Sequence, residues 1–220
     1  MKIRTVDALI DAIDNDLAWR KHELSAIRSM VANSRKSAKE MAIRSGIALL
    51  YAHWEGAIKN IATFYLNYVS LQSLPYKELK PNFLAISSKH KLDEFEDTNK
   101  ATLHTSLVIE IIQSQSQRSR IPVEGVIKTN SNLNSEVFIE IMASIGLDCS
   151  EYEGSYKLID SLLLEKRNRI AHGEKVEWID LDGDRYLEIH DRVRNLIQLF
   201  ADQVENAAIN KLYRVEQKPS

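Results

Sequence analysis

Glu165-Lys166-Arg167-Asn168-Arg169-Ile170-Ala171-His172-Gly173-Glu174 is the stretch on which the reading of this chain turns. It follows Leu158, Ile159, Leu162 and Leu163, whose spacing predicts a helix over about residues 155–171. Gly173 stands where the first residue past a helix end belongs, so His172 is expected on the last turn. The segment is dense in cationic and polar side chains for the close of an amphipathic helix.

Outward from that segment the chain reads as helical. Val6, Leu9, Ile10, Ile13, Leu17, Leu24, Ile27 and Val31 recur at helical spacing and predict a helix over about residues 5–33. A second long helix is expected over about residues 37–70, carrying Met41, Ile47, Leu50, Tyr51, Trp54, Ile58, Ile61, Tyr65, Tyr68 and Val69. Gly46 and Gly56 within it each cost about 1 kcal/mol relative to Ala, which points to close approach of a neighbouring helix. A final helix is expected over about residues 185–213. Four such helices can pack as an antiparallel bundle, so the fold class is all-α.

Between the second and third of these helices, residues 74–150 change character. Pro75, Pro81 and Pro122 punctuate the segment and the periodicity weakens. It reads as a partly helical insertion with short helices at about residues 101–115 and 135–145, the latter capped by Asn134 or Ser135 and stopped by Gly146. Residues 113–120 read as a mobile polar loop. Val176–Leu181 and the following Asp182-Gly183 read as an extended piece and a turn, pairing with residues 186–189 as a hairpin. The whole is expected to be one domain over residues 1–214, with a disordered tail over residues 215–220.

The composition narrows the function classes. Seven Gly and four Pro suit long helices with few tight turns. No window reaches the eighteen or so continuous apolar residues of a membrane span, and the start of the chain lacks a signal-peptide apolar region. A soluble, cytoplasmic protein with no membrane partner is expected. The single Cys149 excludes a disulfide framework and a cysteine zinc cluster. A net charge of −2 means that any basic patch for nucleic acid must be local.

Arg167, Asn168, Arg169 and His172 could act together on a phosphodiester. Metal-free cleavage of RNA needs a base for the ribose 2′-OH, an acid for the departing 5′-oxygen and a cation for the phosphorane charge. Histidine serves either proton role near neutral pH, and arginine can hold two phosphate oxygens. On a straight helix Asn168 and Arg169 are neighbours of His172, but Arg167 lies roughly 140° round the axis from it. A two-fold dimer bringing two such helix ends together would relieve this. By spacing alone, a helix end with a capping His and solvated arginines remains the simpler account.

The run Arg-Asn-x-Ile-Ala-His-Gly resembles the Arg-polar-x-x-x-His signature of HEPN ribonucleases, with Arg167, Asn168 and His172 at the matching positions. Upstream, Leu49-Leu50-Tyr51-Ala52-His53-Trp54-Glu55-Gly56 is similar to the second-helix pattern of the MAE_28990/MAE_18760-like HEPN group. The resemblance implies a HEPN-type bundle and a homodimeric, metal-independent endoribonuclease leaving 2′,3′-cyclic phosphate ends. It implies service as a toxin or antiphage defence component, with an antitoxin protein or a nucleotidyltransferase-type partner. Arg167 and His172 would be catalytic, with Asn168 orienting the His or the phosphate, and no cofactor or metal would be needed. Apart from the resemblance, Arg169 beside His172 and Glu55 are supporting candidates by position, Glu55 to orient His172 or pair with an arginine if it is not simply a helix-surface carboxylate. A catalytically inactive HEPN module binding RNA or nucleotide, or a structural helical dimer, stands as the alternative.

Other signals are set aside. Asp180, Asp182 and Asp184 lack the glycine placement of a calcium loop and read as a solvated turn. The histidines offer no His-x-x-x-His pair for zinc, and Trp54 reads as core. Lys89-His90-Lys91 and Arg118-Ser119-Arg120 read as solvated basic clusters.

Overall fold

The computed structural model describes residues 2–96, 100–174 and 182–215, without the side chains of Lys36, Ser37, His90, Lys91, Glu94, Phe95 and Glu96. Its helices are α1 (Val6–Asn33), α2 (Lys36–Leu71), α3 (Pro81–Glu96), α4 (Ala101–Ser114), α5 (Ser135–Ile145), α6 (Lys166–Ala171) and α7 (Gly183–Ile209). Short 3-10 turns occupy Tyr76–Glu78 and Ser150–Ser155, and Leu158–Glu165 is π-helical and runs into α6. Among the described residues there is no strand ladder, only isolated bridges pairing Pro75 with Arg118 and Leu79 with Arg214. The fold is all-α.

The bundle is built from α1, α2, α7 and the continuous π-helical stretch plus α6, with α2 packed against all three others. Thr5 caps α1 by accepting the Ala8 N–H at 3.1 Å, a bond of the kind that adds about 1 kcal/mol. From α1 the predicted stripe Leu9, Ile13, Leu17, Leu24, Ile27 and Val31 is buried. The glycines of α2 are explained by the neighbours they admit. A Cβ on Gly46 would stand 2.6 Å from the Tyr186 ring of α7, and one on Gly56 would stand 2.8 Å from an Arg20 guanidinium nitrogen of α1. Met41 departs from its predicted role, being 68% exposed.

Part of residues 74–150 shares the bundle's core. Phe138 of α5 is fully buried between Trp54 of α2, Tyr152 and Phe200 of α7, with ring centroids at 5.5, 4.8 and 6.1 Å. Pairs of this geometry contribute about 0.5–1.5 kcal/mol beyond the area they bury. The N-terminus of α5 is pinned twice. Asn134 accepts the Val137 N–H at 2.8 Å, and Asp160 of the π-helical stretch accepts from the Ser135 N–H and hydroxyl at 2.7 and 2.6 Å. At its other end Gly146 is left-handed (φ 72°), as its place in the sequence predicts.

Several expectations are corrected. The segment 81–96, where periodicity is weak, is a helix, with Pro81 in its first turn where a missing N–H costs nothing. The third core helix is not a single α-helix from residue 155, because its middle takes i→i+5 bonding. Residues 186–189 lie inside α7, whose N-cap Asp182 accepts the Arg185 N–H at 2.8 Å, so they form no hairpin strand. The extended piece expected over residues 176–181, with Asp180, lies outside the described residues, as does the tail beyond Val215. The polar run 113–120 is not a free loop. The Gln115 and Gln117 carbonyls accept from the Lys77 and Tyr76 N–H groups, and the Ser119 N–H donates to Leu74. Lys89 pairs with Asp93 at 3.4 Å. No helix among the described residues is long and apolar enough to cross a membrane.

Candidate active site

Arg167 leaves the first turn of α6 and crosses to α2. Its guanidinium carbon stands 4.0 Å from the centroid of the Tyr51 ring, and Nη2 donates to the Ser131 carbonyl at 2.6 Å. Its Nε is buried with no hydrogen-bond partner among the described residues. Among the described residues the positive charge is therefore met by a ring face and one neutral carbonyl, with no carboxylate bonded to it.

The loop that supplies this carbonyl is held in shape by its own chemistry. Asn130 and Ser131 are both left-handed, at φ 51° and 54°, conformations that cost a non-glycine residue roughly 1–2 kcal/mol each. The Tyr51 hydroxyl accepts the Leu133 N–H at 2.7 Å, and the Asn132 N–H donates to Thr129 at 2.9 Å. Tyr51 thus carries Arg167 on its face and the loop on its hydroxyl. Burial raises the Tyr51 phenol above its ordinary value and the nearby Arg167 partly opposes this, so it remains a neutral phenol at physiological pH.

Arg167, Tyr51, Glu55, Ser131 and Ile170 line one open groove of about 300 Å3, floored by Ala48, Ala52 and Ala171. Glu55, expected to support the site, is therefore brought into the same groove as Arg167. The other predicted residues are placed differently. Asn168 stands 3.5 Å from the Asn132 side chain, a long contact, while its carbonyl accepts the His172 N–H at 3.0 Å. Arg169 pairs with Glu174 at 2.9 Å. His172 is exposed at the helix end and is not among the residues that line the groove.

The helix end around His172 is a Schellman cap. Gly173 is left-handed (φ 73°), its N–H donates to Ile170, and the Glu174 N–H donates to Arg169. Arg44 of α2 donates to the Glu174 carbonyl at 3.1 Å, tying this cap to the bundle. The last-turn carbonyls favour a cation at His172 and oppose a phosphate, so an anion here would need the charge of a nearby arginine.

Two contributors were not singled out from the sequence. From the sequence, Tyr51 is marked as an apolar helix residue and as part of the run Leu49–Gly56, without a role at the site, and the loop at Ser131 is not marked. The run Asn130-Ser131-Asn132-Leu133-Asn134 carries a signal for the loop, since Asn is the non-glycine residue that best tolerates left-handed backbone and caps helices. Of the other α2 candidates, Trp54 is fully buried and His53 faces α1 instead of the groove, its Nε2 3.0 Å from the Glu23 carboxylate. Among the described residues no cluster of three His, Cys, Asp or Glu side chains could hold a metal.

No curated protein and no solved structure matches the chain. A family does: residues 9–213 match the HEPN_MAE_28990 (MAE_28990-like HEPN) family. That span takes in α2, the loop at Ser131 and the Arg167–His172 helix end together, and the chain belongs to the MAE_28990-like HEPN family.

Proposed function

We propose that this HEPN domain is a metal-independent endoribonuclease that cuts RNA to 2′,3′-cyclic phosphate ends and acts as a toxin or defence component. HEPN domains are frequently ribonucleases. The observation that carries the reading is Arg167: a cation at a family-signature position, facing an open groove and bonded to no carboxylate among the described residues. In the reaction the ribose 2′-oxygen attacks phosphorus and the bond to the 5′-oxygen breaks. His172 takes the proton from the 2′-OH or gives one to the departing 5′-oxygen. Arg167 offsets the charge that builds on the non-bridging oxygens, and Asn168 and Arg169 orient His172 or the phosphate. Glu55 lies in the groove as a hydrogen-bond acceptor for a ribose hydroxyl or base amine.

His172 is exposed at the helix end and does not line the groove, so the phosphate is expected to reach from Arg167 to a His172 outside it. A homodimer pairing two such ends would supply the second group from the other chain. An antitoxin or nucleotidyltransferase-type partner would restrain the activity in the cytoplasm. The rival reading is a module on the same fold that binds RNA without cutting it, and the position of His172 outside the groove's lining favours it.

Expression of the wild-type chain beside His172→Ala, with recovered RNA examined for cyclic-phosphate ends, separates the two. Toxicity and cut RNA that vanish together in the variant support the ribonuclease. Equal behaviour of both proteins moves the assignment to the binding module.

A further inference from the structure

A second groove of about 430 Å3 adjoins the one at Arg167. It is lined by Lys59, Thr63, Ile127, Lys128, Thr129 and Asn130, with Ser131 common to both. On α2 the lining residues of the two are Ala48, Ala52, Glu55, Lys59 and Thr63, spaced by three or four positions. At 3.6 residues per turn they form one stripe within about 80° of helix face, about 22 Å long. Sharing Ser131 and this stripe of α2, the two grooves can be followed by one extended ligand as a single trough, whose second half is also lined by residues 123–131 of the inserted segment.

Charge is distributed unevenly along it. Arg167 stands beside Ser131, where the grooves adjoin, and Lys59 and Lys128, both exposed, line the second groove, neither paired with a carboxylate among the described residues. Glu55 lies on α2 between Tyr51 and Lys59, and Glu124 also lines the second groove. A ligand with negative charge spaced along its length, and with neutral hydroxyls and amines between, fits this order. A trough one helix stripe wide admits a single strand, whereas an A-form duplex, recognised across its wide minor groove, would meet the rims first. The backbone strain at Asn130 and Ser131 falls where the two halves meet, a position typical of ligand-binding loops.

We infer that the second groove is a subsite for single-stranded RNA flanking the scissile phosphate, with Lys59 and Lys128 contacting backbone phosphates distant from Arg167. The inference rests on the ribonuclease reading for the register of the strand and gives the inserted segment a role in substrate binding. Its test does not depend on turnover. Fluorescence anisotropy would follow a labelled trinucleotide and a labelled decanucleotide binding to full-length His172→Ala, with and without Lys59→Gln and Lys128→Gln together. Melting temperature would serve as the control for folding.

The decanucleotide should bind about tenfold more weakly to the lysine variant, with a log K against log salt slope shallower by about 1.4, as two lost phosphate contacts on a single strand require. Trinucleotide binding should not change. Equal decanucleotide affinity and slope in the two proteins overturns the subsite, as does absence of decanucleotide binding to either. A wild-type chain that binds in this length-dependent way but cuts no RNA would refute the ribonuclease and leave the subsite standing.

Discussion

Arg20 and Arg167 both lie against an aromatic ring, 4.6 Å from the Trp19 centroid and 4.0 Å from that of Tyr51, yet their charges are met in different ways. Arg20 is buried between α1 and α2. Its Nε and Nη2 donate to the two oxygens of Asp16 at 2.6 and 3.1 Å, and Asp16 also accepts from Asn60 at 2.7 Å. A third nitrogen reaches the His53 carbonyl at 3.4 Å. Among the described residues Arg167 has one carbonyl and a ring, and an open groove beyond. A guanidinium neutralised by a carboxylate inside the fold has little left for a ligand, while one held only by neutral groups keeps its charge available. On that distinction Arg20 serves the fold, and the proposed function rests on Arg167.

The sharpest way to break the comparison is to truncate both. Arg20→Ala leaves Asp16 buried and uncompensated and should cost about 3–5 kcal/mol, read as a lowered urea midpoint, with RNA cleavage per folded molecule unchanged. Asp16→Leu with Arg20→Met should recover most of that loss, because the pair's attraction mainly offsets its own desolvation. Arg167→Ala should lower cleavage about 100- to 1000-fold with a melting temperature near wild type. A fall in melting temperature matching that of Arg20→Ala would make Arg167 a second structural cation.

Smaller effects sharpen each side. Gly56→Ala would place a methyl 2.8 Å from Arg20 and should destabilise by about 1–3 kcal/mol through overpacking, despite the gain in helix propensity. Tyr51→Phe keeps the ring beneath Arg167 but orphans the Leu133 N–H, at about 1 kcal/mol. Cleavage should fall only severalfold, while Tyr51→Ala, which removes the ring, should approach the loss in Arg167→Ala. The smallest effect is one of pH. Burial, and then Arg20, hold His53 below the ordinary histidine value. The unfolded chain therefore takes up the proton first as pH falls. Stability should be full above about pH 6.5 and decline below it until the folded His53 itself titrates. Urea midpoints across that window should vary less with pH in His53→Gln.

How much of this was legible depended on how far each feature rests on local pattern. The apolar stripe of α1, the caps at Asn134 and Gly146, and the end of α6 at Gly173 each follow from spacing or from a residue's backbone preference. The helix α3 was missed because, of its apolar residues, Phe83 is fully buried while Leu84 and Ile86 are only partly covered, so its periodicity is faint. At the site, the closeness of Glu55 to Arg167 was readable from two segments on neighbouring helices. The contribution of Ser131 was not, since it depends on where α5 packs, through Phe138, in a core assembled from distant parts of the chain.

The π-helical stretch Leu158–Glu165 bears on how this site could come to be tuned. A turn closed by i→i+5 bonds takes in one residue more than an α turn, and one residue is worth about 100° of rotation. Removing a residue there, and letting the stretch relax to α geometry, would turn everything after it. Arg167 would then swing away from Tyr51 although no residue at the groove had changed. The stretch acts as a phase setting for the helix end, through which a single deletion would take Arg167 out of the groove and with it the proposed activity.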